Sequence, residues 1–122
     1  MRDQEDWSIV FYIEDNGNSP IEDFLTGLDA KTSARFLWSI EQLRVRNIRA
    51  REPLVKNLKD KVWELREESQ TNIYRLLYFF YTGKQIVFLH GFQKKSQKTP
   101  NKEIELAVRR MQRFVAREEG EI

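Results

Sequence analysis

One arginine interrupts an otherwise apolar run. Residues 73–81 read IYRLLYFFY, and the guanidinium of Arg75 within them must find an anion or water. Two partners are open to it: an ion pair with Glu64 or Glu67 on the neighbouring strand, or the phosphate of a ligand. Residues 62–66, VWELR, alternate, so Val62, Glu64 and Arg66 share one strand face while Trp63 and Leu65 take the other. Glu64 and Arg66 then either hold each other or combine to aim an arginine at phosphate. His90, the sole histidine, stands late in a second apolar run just before Gly91. Its ordinary pKa near neutrality suits an acid or base, and a hydrogen-bonded structural role is the alternative. Lys94 and Lys95 follow, with Lys98 in the same polar loop, and stand either around a scissile phosphate or in solvent. The chemistry such a set performs is cationic: a ribose 2′-hydroxyl attacks its own phosphate while arginine and lysine neutralise the crowded intermediate. Each such contact contributes about 2 to 4 kcal/mol to the transition state.

Other chemistries fall away. The chain has no cysteine, which excludes disulfides, thiolate catalysis and cysteine-based zinc, and one histidine cannot build a histidine-ligated centre. There is no glycine-rich phosphate loop, nucleophile elbow or metal-ligand spacing, so neither a metal nor another cofactor is expected. At 122 residues the chain forms one domain, 1–122, around one core, and its 40% hydrophobic content is enough to build it. The N-terminus, MRDQEDW, lacks an apolar signal core, and no stretch of about 18 apolar residues occurs, so no membrane is expected and the cytoplasm is the default address.

A net charge of +2 hides a skewed distribution. Residues 1–30 carry one base against eight acids, residues 44–66 eight bases against three acids, and residues 84–102 five lysines and no acid. If the two basic segments meet in the fold, they form a phosphate-attracting surface with Lys56, Lys59, Lys61, Lys94 and Lys98 as RNA-binding cations. If they do not, these are solvated loop and helix faces.

The elements that must position these residues are legible from periodicity and punctuation. Residues 7–12, WSIVFY, read as a strand and Asn16-Gly17-Asn18 as a break. Ser19 caps and Pro20 opens a short helix through Leu25, which Gly27 ends. Asp29 caps a second helix over residues 30–46, with Phe36, Leu37, Ile40 and Leu43 as its buried stripe. Residues 47–53 form a basic loop, and the sheet begins beyond it. Residues 73–81 and 85–92 form a hairpin around Thr82-Gly83-Lys84, both strands apolar on both faces. Thr99 caps a last helix with Pro100 in its first turn, and Ile104, Ala107 or Val108, Met111, Phe114 and Val115 form its apolar stripe. The order predicts an α+β domain, an antiparallel sheet with an N-terminal helical hairpin and a C-terminal helix. Its helices pack on one side, leaving the other as the working surface.

The series Lys56-x-Leu58, Val62-Trp-Glu-Leu-Arg66, Tyr74-Arg75, Val87-Phe-Leu-His-Gly-Phe-x-Lys-Lys95 and Lys98-Thr-Pro100, followed by an amphipathic helix, resembles the phage-derived HigB-like toxins of the RelE/ParE superfamily. The resemblance covers residues 7–115. It implies the RelE/ParE fold and the toxin of a type II toxin–antitoxin system, a metal-independent messenger RNA endonuclease acting on the ribosome. It further implies a cognate HigA-like helix-turn-helix antitoxin, with operator DNA contacted only through the antitoxin complex. Carried over by position, the family's active-site arginine falls on Arg75, its strand base on Arg66 and its basic pair on Lys94 and Lys95, of which Lys95 joins Arg66, Arg75 and His90 as a catalytic candidate and Lys94 binds RNA. Two positions depart from better-known RelE enzymes: Glu64 stands where they have a second base, and Ile104 where the last helix has a tyrosine. The general base is therefore open among His90, a desolvated lysine and Glu64. A ParE-like gyrase poison and a non-catalytic RNA- or ribosome-binding module are the other functions this surface would serve.

Overall fold

Local chemistry sets the helix boundaries. In a computed structural model of the chain, which describes residues 7–46, 55–59, 61–94 and 98–120, α1 spans Pro20–Thr26, and the Ser19 side chain accepts from the Glu22 amide at 3.3 Å. Helix α2 spans Ala30–Arg46, with Asp29 Oδ2 accepting the Thr32 amide at 3.1 Å. Both caps satisfy amides that a helix start leaves without a partner. Strand β1 is Ser8–Phe11, β2 Val55–Lys59, β3 Val62–Ser69, β4 Asn72–Tyr81 and β5 Gln85–Lys94, and α3 closes the order at Asn101–Glu118. Among the described residues this is an α+β domain of three helices and one five-stranded sheet, consistent with the RelE-like architecture.

The strands lie in the order β1-β5-β4-β3-β2. Strands β2 to β5 form an antiparallel meander, but β1 joins β5 in parallel, so the sheet is mixed rather than wholly antiparallel. The free edge of β5 is where Ile9 and Phe11 reach the core under the helical hairpin while Val10 turns to the opposite face.

Helices cover both faces of the sheet, which corrects the expectation of helices on one side only. Helices α1 and α2 place Ile21, Leu25, Phe36, Ile40 and Leu43 against Leu65, Leu76, Tyr78, Ile86 and Phe88. Helix α3 places Ala107 and Phe114 against Val62, Leu77, Phe79, Val87 and Leu89 on the other face. The cause is the double-sided apolar character of β4 and β5. Each large side chain left in water on a bare face would forfeit about 1.5 to 3 kcal/mol. Leu37, expected in the buried stripe of α2, is 53% exposed beside Trp38 and Val45, and Thr32 and Ser39 take buried places instead.

Helix α3 is tied down by the acidic loop after β1. Arg110 meets Glu14 at 2.9 Å, Arg113 and Arg117 meet Asp15 at 2.6 and 2.5 Å, and the guanidiniums of Arg110 and Arg117 both lie over the Tyr12 ring. Hydrogen bonds from Arg113 and Arg117 hold the Asp15 carboxyl below its usual pKa. Part of the N-terminal acid excess is thus matched to the arginine row of α3.

Candidate functional site

Strand parity places Val62, Glu64 and Arg66 on the α3 face, and β4 adds Arg75, Leu77 and Phe79 to it. Register then brings Arg66 directly opposite Arg75, and Glu64 opposite Leu77. Two cations so paired across a sheet repel unless an anion intervenes. Glu64 is that anion. Arg75 Nη1 lies 3.3 and 3.2 Å from its two carboxylate oxygens, and Arg66 Nη2 lies 3.4 Å from Oε2. Arg75 also donates to Thr99 Oγ1 at 2.6 Å, and the Thr99 hydroxyl donates in turn to Glu64 Oε1.

Burial separates the two arginines. Arg75 is 0% exposed, Glu64 1% and Thr99 5%, whereas the Arg66 side chain keeps 21% of its surface in solvent. Of the two sequence readings for Arg75, the one seen here is the ion pair with Glu64, sealed by Thr99. Glu67 instead accepts from the Ser39 hydroxyl at 2.6 Å and meets Arg35 at 3.6 Å on the opposite face. Two guanidiniums share one buried carboxylate, and the cation of that group presented to solvent is Arg66.

His90 reaches the same face through an irregularity in the sheet. Across from it, β4 runs Leu77-Tyr78 without a gap, while β5 pairs His90 with Leu77 and Phe88 with Tyr78, so Leu89 is an extra residue. That bulge brings Leu89 and His90 both to the α3 side and turns Gly91 toward the hairpin, where Phe24 covers it. Plain alternation from Val87 and Leu89 would have put His90 on the hairpin side. His90 Nε2 lies 2.6 Å from Glu103 Oε1 on the first turn of α3, and the ring stacks on Phe92 at 5.2 Å. Because a carboxylate accepts only, Nε2 carries the hydrogen and Nδ1 the lone pair of the neutral ring. Burial lowers the His90 pKa against the raising pull of Glu103, and Arg110 adds to the lowering. The imidazole is therefore neutral, and basic at Nδ1, at physiological pH. It stands two strands from Glu64, roughly 10 Å across the sheet at the usual strand spacing of about 4.8 Å.

The lysines divide. Lys98 is exposed beside Thr99, and Lys61 is exposed in the turn between β2 and β3. Lys56 and Lys59 occupy register positions opposite Glu64 and Val62, and Lys94 opposite Ile73. Lys95 lies outside the described residues. The structure thus brings together Glu64, Arg66, Arg75 and Thr99, with Lys98 next along the chain and the backbone of Lys56 alongside. Lys61 lies at the opposite end of β3, five residues or about 16 Å from Arg66 along the strand. It lines a groove of about 580 Å³ between α3 and the end of β4, walled by Phe79, Tyr81, Val108 and Met111.

Thr99 was missed as a site residue because its position before Pro100 reads as a helix cap. The cap position instead falls on Pro100, before α3 begins at Asn101, with no side-chain cap bond, and the Thr99 hydroxyl goes to Glu64. Glu103 was missed too: an acid in the first turn of a helix has a sufficient reason in the helix dipole. Among the described residues, no three His, Asp or Glu side chains gather to hold a metal ion, and no helix is long and apolar enough to cross a membrane.

Fold and site together define a small α+β domain with a buried carboxylate holding arginines on one sheet face. The chain belongs to the family described as phage-derived protein Gp49-like (DUF891), whose profile matches residues 23–112, a family associated with the toxins of addiction modules. The matched span includes every residue of the Glu64–Arg66–Arg75–Thr99 cluster and the His90–Glu103 pair. No curated protein matches the chain.

Proposed function

We propose that the protein is the toxin of a type II toxin–antitoxin pair and acts in the cytoplasm as a ribosome-dependent messenger RNA endonuclease. The observation that carries this reading is the pairing of Arg66 with Arg75 across β3 and β4 around the single carboxylate of Glu64. Two guanidiniums converge on that carboxylate, and Arg66 lies at a partly desolvated edge, where a cation attracts phosphate more strongly than in bulk water. Arg66 is the phosphate ligand, with the exposed Lys98 next along the chain from Thr99. Arg75, enclosed as it is, holds Glu64 in place. His90 takes the 2′-hydroxyl proton at Nδ1 as the 2′-oxygen bonds to phosphorus and the bond from phosphorus to the 5′-oxygen breaks, the departing 5′-oxygen taking a proton from water, while Glu103 fixes the His90 tautomer and steadies the cation that results. Glu64 is unsuited to that role, because both of its oxygens are already occupied by two guanidiniums and a hydroxyl.

The partners that follow are the ribosome, its message and a cognate antitoxin of helix-turn-helix type. The test is induced expression in a bacterial host with and without Arg66→Gln, with message ends mapped in cells and in a purified translation system. Growth arrest with cuts only on translating ribosomes, both lost in the variant, is the expected result. Intact messages accompanied by DNA breaks would replace the reading with gyrase poisoning, and RNA binding without cuts would replace it with a non-catalytic module.

A further inference from the structure

The hydroxyl of Thr99 is a single atom that serves both members of a buried ion pair. It accepts from Arg75 Nη1 at 2.6 Å and donates to Glu64 Oε1. The threonine stands one residue before Pro100, where the chain turns from the lysine segment into α3. Were the hydroxyl needed only for local structure, the N-terminus of α3 would be its natural acceptor role, yet that helix starts without a side-chain cap. Departures of this kind from local rules concentrate at functional sites.

The geometry of Glu64 shows what the hydroxyl accomplishes. Arg75 does not grip the carboxylate as a parallel fork, because one nitrogen, Nη1, straddles both oxygens at 3.3 and 3.2 Å. Such a contact leaves the carboxylate able to rotate about its own axis. Thr99 removes that freedom by fixing Oε1, which sets Oε2 between Arg75 Nη1 at 3.2 Å and Arg66 Nη2 at 3.4 Å. We infer that Thr99 is a positioning residue: through Glu64 it sets the direction in which Arg66 meets phosphate, and it anchors Lys98 beside the same spot. The inference rests on the reading of Arg66 as the phosphate ligand.

The test compares Thr99→Val, which keeps the shape and removes the hydroxyl, with Thr99→Ser, which keeps the hydroxyl, in the purified translation system. Urea midpoints establish that each variant is folded at the assay temperature. Thr99→Val is expected to lower kcat at least tenfold with KM within about twofold, Thr99→Ser to stay within about threefold of wild type, and Thr99→Val with Arg66→Gln to be no slower than Arg66→Gln alone. A second readout needs no activity: the Arg66 side-chain Nε–H resonance is expected to shift in Thr99→Val and to keep its position in Thr99→Ser. Wild-type rates in Thr99→Val, equal damage in both variants, or losses that multiply in the double variant would overturn the positioning role while Arg66 stood. Full activity of Arg66→Gln would overturn the site itself, and an unmoved Arg66 resonance in Thr99→Val would overturn the coupling whatever the protein cuts.

Discussion

Removing Glu64 should harm the fold more than removing Arg75, although the two form one ion pair. Glu64→Leu leaves the Arg75 guanidinium, at 0% exposure, with the Thr99 hydroxyl but with an apolar side chain where its carboxylate was. Breaking a buried pair in this way costs about 3 to 5 kcal/mol. Arg75→Met is milder, because Glu64 retains the Thr99 hydroxyl and the Arg66 contact at 3.4 Å, and a hydrogen bond to a charged group is worth about 1.5 to 3 kcal/mol. We expect about 2 to 3 kcal/mol for that variant. The double variant removes both charges together and leaves an apolar contact of similar volume, so it should cost less than Glu64→Leu alone, with a coupling of at least about 2 kcal/mol. Urea unfolding followed by far-ultraviolet circular dichroism measures all four corners of the cycle. For a chain of this size each kcal/mol moves Tm by roughly 3 to 5 °C, so Glu64→Leu should melt about 9 to 25 °C low. A cost below about 1 kcal/mol for Glu64→Leu, or simple additivity in the double variant, would refute the account of the pair. The same numbers bear on function: loss of toxicity in Arg75→Ala would report folding as much as chemistry, so Arg66, with part of its side chain in solvent, is the cleaner probe.

Two further outcomes follow from the bulge in β5 and from His90. A Cβ on Gly91 would lie 2.4 to 2.8 Å from three ring atoms of Phe24. Gly91→Ala should therefore lose about 1 to 3 kcal/mol, with partial recovery when Phe24→Leu is added, and an unchanged urea midpoint would show that the ring moves freely. His90 has its folded pKa depressed below the unfolded value of about 6.5, so its stabilising contribution is complete above that value and is lost as pH falls through the lower folded pKa. Wild type should thus lose stability between pH 7 and pH 5 more steeply than His90→Gln, as measured by urea midpoints, and equal slopes would remove His90 from the titration. Cleavage by wild type should fall over the same window as the ring takes up its proton.

The helices and most strand boundaries were open to inspection in the sequence because they depend on neighbours along the chain. Ser19-Pro20 starts α1, Asp29 caps α2 at Ala30, and the alternation in VWELR puts Glu64 and Arg66 on one face. The same parity made Arg75 stand out in its apolar strand. Which partner it took was undetermined, because Glu64 and Glu67 lie on opposite faces of β3 and only the register of β3 with β4 brings one of them to Arg75. His90 was identifiable as a residue of interest, but its face was not, since a single extra residue in β5 reverses the parity. Position along the chain also misassigned Thr99, whose hydroxyl has a nearer claim from a helix end than from Glu64, thirty-five residues earlier. Burial drew the remaining distinction. Composition treats Arg66 and Arg75 as equal cations, and only the packing of α3 on the second face of the sheet encloses one and leaves the other open to solvent. The types of residue in the site, and the face of β3 that Glu64 and Arg66 share, were thus determined by the sequence alone, through periodicity. Which of them meets solvent was decided by tertiary structure, because solvent access is a property of elements far apart in the chain coming together.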